Sequence, residues 1–235
     1  MNQPTHKEKP CERCNEIFTY KVCYIGVGED HHEAKNQIHA YYCDKCKVAI
    51  EKEHKQAEIK QRQKEKLDRW HKICPPLYRD SDVKRFPPAW KTISQWKPNP
   101  KGLLLHSRTG TGKTRMVFAM LRPLFMAGTK IIAFGPADFR TGYSGALQNS
   151  MEAASYWVDN VVRADVVFFD DFEKLKFTDT TQEGLFAVVE KRIANLKPLI
   201  ITTNLTDKGL SGKMDSEYGE PLIRRILEFC TPVGC

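Results

Sequence analysis

The strongest chemical signal in the sequence is a segment rich in glycine and threonine that ends in Lys-Thr. It follows the apolar run Gly102–His106, precedes a segment with helical periodicity, and reads Ser107-Arg108-Thr109-Gly110-Thr111-Gly112-Lys113-Thr114. A loop of this composition between a strand and a helix turns successive backbone N–H groups towards phosphate oxygens. The N-terminus of the following helix adds partial positive charge. The segment therefore predicts a site for a nucleoside triphosphate.

Single residues of this loop have specific expected roles. Lys113 can bridge the β- and γ-phosphates, and the hydroxyl of Thr114 can bind Mg²⁺. Gly110 and Gly112 supply the tight curvature of the loop. Ser107 stands where such loops usually have their first glycine, which bears on loop geometry and on nucleotide affinity. The alternative is a chance surface turn, but the flanking strand and helix argue against it.

Acidic residues at the end of a second apolar run complete the predicted site. Asp170 and Asp171 follow Val166–Phe169 directly, at the carboxyl end of a predicted buried strand, where α/β proteins bind ligands. We expect Asp170 to hold Mg²⁺, mostly through water, and Asp171 to orient or deprotonate the attacking water. Glu173 is a less favoured base because it lies beyond the strand end. A solvated acidic turn is the alternative interpretation.

Asn204 is the third polar feature at a predicted strand end. It follows the apolar and threonine-rich run 198–203. An amide in this position can donate a hydrogen bond to a γ-phosphate or hold the attacking water. Taken alone, the same residue is as well explained as the first residue of a turn.

Two Cys-x-x-Cys pairs predict a zinc site near the N-terminus. The pairs are Cys11 with Cys14 and Cys43 with Cys46, and each can present two thiolates to one tetrahedral Zn²⁺. Alternating aromatic and β-branched residues over 18–24 and 38–42 predict the strands of a zinc ribbon. A module this small buries little surface, so the metal would supply much of its folding energy. Reduced thiols in a small core are the alternative.

Composition changes along the chain predict its domain organisation. Residues 1–46 form a zinc-ribbon module with four cysteine ligands, residues 47–73 a basic connector helix, and residues 74–235 an ATPase domain. In the last segment, apolar runs alternate with helical patterns, which predicts an α/β fold with a parallel sheet covered by helices on both faces. The predicted strands are 102–106, 130–134, 165–170 and 198–203, and predicted helices begin at 112 and cover 181–195 and 220–229.

The overall composition is typical of a water-soluble protein with a polyanionic partner. Hydrophobic residues make up 41%, charged residues 28%, and the formal net charge is +8. This excess suits nucleic acid, although a merely soluble basic protein would also carry it. No apolar run approaches the roughly 20 residues that span a bilayer, and residues 1–10 lack the apolar stretch of a secretion signal. We therefore expect a cytoplasmic protein without membrane contact, whose eight cysteines bind metal or stay reduced.

Taken together, these segments resemble the AAA+ ATPases, and within them the DnaC/IstB-like group of helicase loaders and transposition helpers. The resemblance covers about residues 75–230 and rests on Leu-Leu-Leu-His-Ser-Arg-Thr-Gly-Thr-Gly-Lys-Thr, Val-Val-Phe-Phe-Asp-Asp, Ile-Ile-Thr-Thr-Asn-Leu and Leu-Ile-Arg-Arg-Ile-Leu. It implies that Asn204 is the sensor-1 residue and Arg225 the arginine finger, with Arg224 as the alternative. Arg192 is a weaker candidate for contact with phosphate or with a neighbouring subunit. An arginine finger acts on the nucleotide of an adjacent subunit, so the resemblance also implies an ATP-dependent homo-oligomer.

The resemblance implies a helicase loader that acts in DNA replication. Such a protein binds and hydrolyses ATP and contacts single-stranded DNA and a replicative helicase. A transposition helper that serves a transposase on duplex DNA shares the same core and is the first alternative. A nucleotide-gated DNA- or protein-binding module with little hydrolysis is the second, and Ser107 in place of glycine motivates it.

Overall fold

The computed structural model describes residues 5–25, 32–34, 41–214 and 216–235. The chain forms two compact units, Met1–Glu65 and Lys66–Cys235. None of the helices in the described part of the chain combines the length and hydrophobicity required to cross a membrane.

The N-terminal unit contains a small antiparallel sheet. Strand β1 (Thr5–Pro10) pairs with β2 (Ile17–Ile25), which pairs in turn with β3 (His32–Ala34). The predicted strand over 18–24 is confirmed as β2, whereas β1 and β3 were not predicted. Of the predicted return strand 38–42, residues 38–40 lie outside the described residues, and residues 41 and 42 are not in a strand.

A long helix begins within the second cysteine pair, directly after Cys43. Helix α1 covers Asp44–Ile73 and confirms the helix predicted for 47–73, with three additional residues at its start. Its surface is mostly polar, but Trp70 near its end is buried against Phe118 and Phe125. Proline at position 75 ends the helix, because the residue before a proline is driven towards extended conformations. The next proline opens the short helix α2 (Pro76–Arg79), where it costs no hydrogen bond.

A five-stranded parallel sheet forms the centre of the C-terminal unit. The strand order is β5-β6-β7-β4-β8. The strands are β4 (Gly102–His106), β5 (Ile131–Phe134), β6 (Val166–Phe169), β7 (Leu199–Thr203) and β8 (Cys230–Gly234). All residues of β6 and β7 are buried, as expected for strands covered on both faces. This architecture confirms the predicted fold class.

Helices pack on the two faces of this sheet and form two separate hydrophobic clusters. Successive residues of one strand contribute to opposite clusters, as Phe168 and Phe169 do, because side chains alternate along a strand. The helices are α3 (Trp90–Gln95), α4 (Lys113–Ala127), α5 (Asp138–Asn149), α6 (Met151–Arg163), α7 (Asp179–Ala194), α8 (Asp207–Ser211) and α9 (Ser216–Phe229).

Strand β8 was missed by the sequence analysis. It pairs in parallel with β4, with Gly102 opposite Cys230 and Leu104 opposite Pro232. Its sequence is short and interrupted by proline, which conceals the strand pattern. Proline is tolerated in this place because β8 lies at the sheet edge. The pairing gives β4 a partner on both sides, directly below the predicted phosphate loop.

Arg192 is a structural residue, and the expectation that it contacts phosphate or a neighbouring subunit is wrong. Its side chain is fully buried. Burial lowers its pKa to about 10, so the guanidinium remains charged at neutral pH. It donates to backbone oxygens at the end of α6 and at the amino ends of β6 and β7, namely those of Val161, Val162, Ala164, Asp165 and Pro198, over 2.7 to 3.3 Å.

Candidate nucleotide site and cysteine cluster

The loop between β4 and α4 has the backbone conformation of a phosphate cradle. Gly110 and Gly112 adopt φ angles of 86° and 89°, in the left-handed region that residues with a Cβ rarely enter. Nothing lies within 4 Å of a Cβ built at either position. The glycines are therefore required by the backbone and not by crowding.

Ser107 strengthens this loop from within. Its hydroxyl lies 2.6 Å from that of Thr111, so the first and fifth residues of the loop are joined by a hydrogen bond. The ammonium of Lys113 also donates to the same Ser107 hydroxyl at 3.2 Å. A serine in place of the first glycine is thus compatible with the cradle, and its hydroxyl adds a contact that glycine lacks.

The ammonium of Lys113 lies at the centre of the site. It donates to the backbone oxygens of Ser107 at 3.0 Å and Arg108 at 3.1 Å, and to Asn204 Oδ1 at 2.9 Å. Burial lowers the pKa of Lys113, and the negative charge of Asp171 acts in the opposite direction. A buried ammonium held only by neutral oxygens favours an anion as a replacement partner.

Asp170 joins the phosphate loop to two strands. Its Oδ1 accepts hydrogen bonds from Thr114 Oγ1 at 2.7 Å and from Thr202 Oγ1 at 2.6 Å. Burial raises the pKa of Asp170, and these two hydroxyl donors oppose the rise. A carboxylate beside a threonine hydroxyl at the start of a helix is a donor set that suits Mg²⁺. The predicted magnesium residues are therefore brought together.

Thr202 is a site residue that the sequence analysis missed. Besides donating to Asp170, its hydroxyl accepts from the backbone N–H of Asp171 at 2.9 Å, so it positions both acidic residues. The side chain is fully buried. A signal was present in the sequence, because two threonines replace apolar residues at the end of a strand that is otherwise buried on both faces.

Asp171 lies at the cavity but already has a partner. Its carboxylate Oδ2 is 2.5 Å from the ammonium of Lys174. Its backbone has a φ of 47°, an unusual left-handed conformation for a residue other than glycine. This backbone turn ends β6 and leads directly into a 3₁₀ turn over Phe172–Lys174.

That turn carries Glu173 back into the protein. Sequence position alone suggested a residue beyond the site, yet Glu173 is only 6% exposed. Its Oε1 accepts a hydrogen bond from Asn204 Nδ2. The second carboxylate oxygen is buried and has no hydrogen-bond partner within the described residues. Glu173 is therefore connected to Lys113 through the amide of Asn204.

A cavity of about 270 Å³ opens at the carboxyl ends of the strands beside these residues. Tyr78 forms part of its wall, with the guanidinium of Arg115 5.6 Å from its ring centre. Arg115 also donates to the backbone oxygen of Leu77 at 2.9 Å. The cavity is lined by Leu77, Tyr78, Thr109, Gly110, Gly112, Lys113, Thr114, Arg115, Asp171 and Asn204. The predicted loop, acidic and amide residues thus meet at one place.

The two candidate arginines of α9 differ in their surroundings. Arg225 forms an ion pair with Glu190, and its guanidinium lies 5.2 Å from the ring centre of Phe186. Arg224 is exposed and has no ion-pair partner among the described residues. It lines an open groove of about 240 Å³ between α8 and α9. Neither arginine lines the nucleotide cavity of its own chain.

The two predicted cysteine pairs of the N-terminal unit, Cys11 with Cys14 and Cys43 with Cys46, converge. Their sulfur atoms all lie within 4.8 Å of one another, and those of Cys14 and Cys43 are 3.7 Å apart. Tetrahedral coordination with Zn–S bonds of about 2.3 Å separates the sulfurs by ~3.8 Å. Asn15 has a φ of 60° and closes the turn after the first pair. The backbone N–H of Cys43 donates to Cys11 Sγ at 3.3 Å, as suits a charged thiolate.

Comparison with known proteins gives one curated sequence relative. No family model matches the chain. The phage-like element PBSX protein XkdC of Bacillus subtilis is 27% identical over 154 residues, which is 63% of this chain and 54% of that protein. The chain therefore spans about half the length of this curated relative.

Solved structures share the fold of the C-terminal unit. The DnaC helicase loader gives a TM-score of 0.52 at 20% identity, over 71% of this chain and 98% of the other. DnaI gives 0.50 at 20%, over 62% and 80%. DnaA bound to AMPPCP and single-stranded DNA gives 0.51 at 18%, over 62% and 44%. With its parallel sheet and phosphate loop, this chain has the fold of the AAA+ P-loop proteins, together with an N-terminal cluster of four cysteines.

Proposed function

We propose that this protein is an ATP-binding and ATP-hydrolysing helicase loader that acts in DNA replication. One observation carries the ATPase part of the proposal. The ammonium of Lys113, the bonded pair Thr114 and Asp170, and the amide of Asn204 meet at one edge of a parallel sheet. In such an arrangement the lysine neutralises charge on a triphosphate, and the threonine and aspartate hold the metal ion that neutralises the rest.

The described contacts suggest how nucleotide would be bound. The ammonium of Lys113 would exchange its neutral oxygen partners for the β- and γ-phosphates, a stronger charge-assisted contact. Thr114 and Asp170 would hold Mg²⁺, which supplies positive charge next to the phosphates. Asp171 lines the cavity and would orient the attacking water once it separates from Lys174.

The helicase-loader part rests on likeness to other proteins. The DnaC helicase loader is matched over 98% of its solved chain, and a DnaA structure of similar fold holds both AMPPCP and single-stranded DNA. The net charge of +8 favours a nucleic-acid partner. We therefore propose single-stranded DNA and a replicative helicase as partners, with a transposase on duplex DNA as the alternative.

An ATP-dependent homo-oligomer is part of this proposal. Neither α9 arginine lines the cavity of its own chain, so each would act on the nucleotide of a neighbouring subunit. Arg225 was the predicted finger, but its guanidinium is already held by Glu190 and Phe186. The exposed Arg224 is free of ion pairs among the described residues, which makes it the better placed of the two.

A second function is favoured by the ion pair between Asp171 and Lys174. If this 2.5 Å contact persists when nucleotide is bound, the carboxylate is not available to the attacking water. The protein would then be a nucleotide-gated DNA- or protein-binding module with little hydrolysis.

The test is to measure nucleotide binding and phosphate release on the zinc-containing full chain. Lys113→Ala should weaken Mg-ATP binding at least about tenfold and abolish turnover, since it removes the central positive charge. Asp171→Ala should preserve binding and lower turnover. Lys101→Ala, which alters an exposed lysine just before β4, is the matched control and should resemble the wild type. Unchanged phosphate release in Lys113→Ala would rule out the ATPase proposal.

Partner preference is measured separately, by fluorescence anisotropy with labelled oligonucleotides in Mg-ATP. A helicase loader should bind single-stranded DNA more tightly than duplex DNA of equal length, and Lys113→Ala should reduce the difference. Preference for duplex DNA would favour the transposition helper. Stable nucleotide-dependent DNA binding without phosphate release would favour the gated module.

A further inference from the structure

We propose that Glu173 is a positioning residue that fixes the amide of Asn204 with its oxygen, and not its nitrogen, towards the phosphate site. The inference deepens the proposed ATPase function and rests on it. It concerns a residue outside the phosphate loop and outside the Asp170–Asp171 pair. It also assigns Asn204 the role of hydrogen-bond acceptor, whereas the sequence left open a role as donor to a γ-phosphate.

The chemistry of the two neighbours determines the orientation of the amide. An ammonium can only donate hydrogen bonds, and an ionised carboxylate can only accept them. Lys113 Nζ lies 2.9 Å from Asn204 Oδ1, and Asn204 Nδ2 donates to Glu173 Oε1. If the oxygen and nitrogen of this amide were exchanged, its NH₂ group would face the ammonium of Lys113 and its oxygen would face the carboxylate of Glu173. A donor would then face a donor, and an acceptor would face an acceptor. Only one orientation satisfies both neighbours.

Glu173 is itself held firmly. The residue before it, Phe172, is fully buried in the hydrophobic core, and the backbone oxygen of Glu173 accepts from Lys213 Nζ at 2.9 Å. Its other carboxylate oxygen is buried without a partner within the described residues. Leaving such a group unpaired is unfavourable for folding.

The contact has a consequence when ATP occupies the site. Lys113 would turn to the phosphates, and the oxygen of Asn204 would lose its donor while Glu173 still holds the nitrogen. A water molecule beside the γ-phosphate has protons to donate, so it can take the place of the ammonium at that oxygen. Asn204 would then hold the attacking water, and Glu173 would act only through Asn204.

Two substitutions at Glu173 separate this role from a general structural one. Glu173→Met keeps the length of the side chain and removes the acceptor, so kcat should fall about tenfold or more while ATP affinity stays within about threefold. Glu173→Gln keeps an oxygen that can accept from Asn204, so kcat should stay within about threefold of the wild type. Glu228→Met, at an exposed position of α9, is the matched control.

A double-substitution cycle tests whether Glu173 acts through Asn204. If it does, adding Glu173→Met to Asn204→Ala should lower kcat no further than Asn204→Ala does alone. Additive losses would show that the two residues act independently, and would overturn the inference. Thermal unfolding of each variant identifies losses of kcat that arise from misfolding. If Glu173→Met does not fold, the kcat of Glu173→Gln still tests the inference, because a fall beyond about threefold would contradict it.

A measurement without turnover distinguishes this inference from the ATPase proposal. In the nucleotide-free protein, the side-chain NH₂ resonances of Asn204, identified by their loss in Asn204→Ala, should exchange slowly with solvent. Glu173→Met should accelerate that exchange at least about tenfold, because the carboxylate acceptor is gone. Unchanged exchange, or full kcat in Glu173→Met beside an inactive Lys113→Ala, would refute the role of Glu173 and leave the ATPase proposal intact. Absence of Mg-ATP binding by the wild type would refute the ATPase proposal itself.

Discussion

The hydroxyl of Thr114 donates to Asp170 Oδ1 across 2.7 Å, and this bond joins the first turn of α4 to the end of β6. It holds together two groups that we propose to bind Mg²⁺. The same carboxylate is largely buried, and burial raises its pKa above the usual value of 3.8. Asp170 is therefore positioned for a cation at some expense to the stability of the nucleotide-free protein.

Asp170→Asn should make the nucleotide-free protein more stable and impair its function. A raised pKa means that the folded protein binds this proton more tightly than the unfolded chain, so stability is lost as pH rises through the raised pKa. The amide removes this loss and can still accept from Thr114 and Thr202. We expect a higher urea midpoint than wild type at neutral pH, with the difference shrinking as pH falls towards 3.8.

The same variant should lose Mg²⁺-dependent binding of ATP by about tenfold or more, measured by calorimetry with and without the metal. Asp165→Asn is a control, because that carboxylate lies at the opposite end of β6. A lower urea midpoint for Asp170→Asn at neutral pH would contradict the proposed cost of the buried charge.

Thr202→Val should weaken the site while preserving the shape of the side chain. The change removes the donor to Asp170 and leaves the N–H of Asp171 without its acceptor. We expect a loss of about 1–3 kcal/mol in the free energy of unfolding, measured by urea denaturation, and weaker Mg-ATP binding. Thr202→Ser keeps the hydroxyl and should retain most of both. Equal behaviour of the valine and serine variants would show that the hydroxyl is unimportant.

One zinc ion per chain should be found when the protein is purified without chelators. Cys46→Ser removes one of four converging sulfurs, so zinc content should fall at least about tenfold, since structural zinc sites need all four ligands. Cys235→Ser, which changes a thiol outside the cluster, is the control. Metal content is measured by mass spectrometry. Full zinc content in Cys46→Ser would rule out the four-cysteine site.

Arg224→Ala should abolish most ATP turnover without affecting ATP binding, because the residue would act on a neighbouring subunit. A loss of about 10³-fold or more is expected of an arginine finger. Mixing Arg224→Ala chains with Lys113→Ala chains should restore part of the activity, since some interfaces then combine an intact cavity with an intact arginine.

Arg225→Ala serves as the comparison, because it removes the contacts with Glu190 and Phe186. It should lower thermal stability more than Arg224→Ala does. Rescue of Arg225→Ala, and not of Arg224→Ala, by Lys113→Ala chains would restore the assignment made from the sequence.

Most of the sheet and the loop were predictable from local sequence patterns. β6 is a continuous apolar run, and β4 and β7 each contain three consecutive apolar residues. The two glycines of the phosphate loop indicate positions where the backbone needs a positive φ. β8 was missed because its pattern is short and contains Pro232, and only pairing with β4 makes it a strand. Long-range pairing is not visible in a short segment.

The position of Glu173 was also not predictable, for a related reason. Its distance from the strand end made it a less favoured base, but the left-handed backbone at Asp171 redirects the chain inwards. The ion pair of Arg225 and the burial of Arg192 likewise depend on which residues of other elements lie nearby. Sequence patterns identified candidate groups, whereas their partners followed from tertiary packing.

The five carbonyl groups bound by Arg192 all lie at the end of the sheet opposite the nucleotide cavity. Moving β6 or β7 at that end would break these hydrogen bonds and leave the guanidinium of Arg192 and several backbone oxygens buried without partners. The amino ends of β6 and β7 are therefore held in place by Arg192. If nucleotide binding or phosphate release displaces β6 or β7, the displacement would therefore occur at their carboxyl ends, in the turn after β6 and in the segment that follows β7.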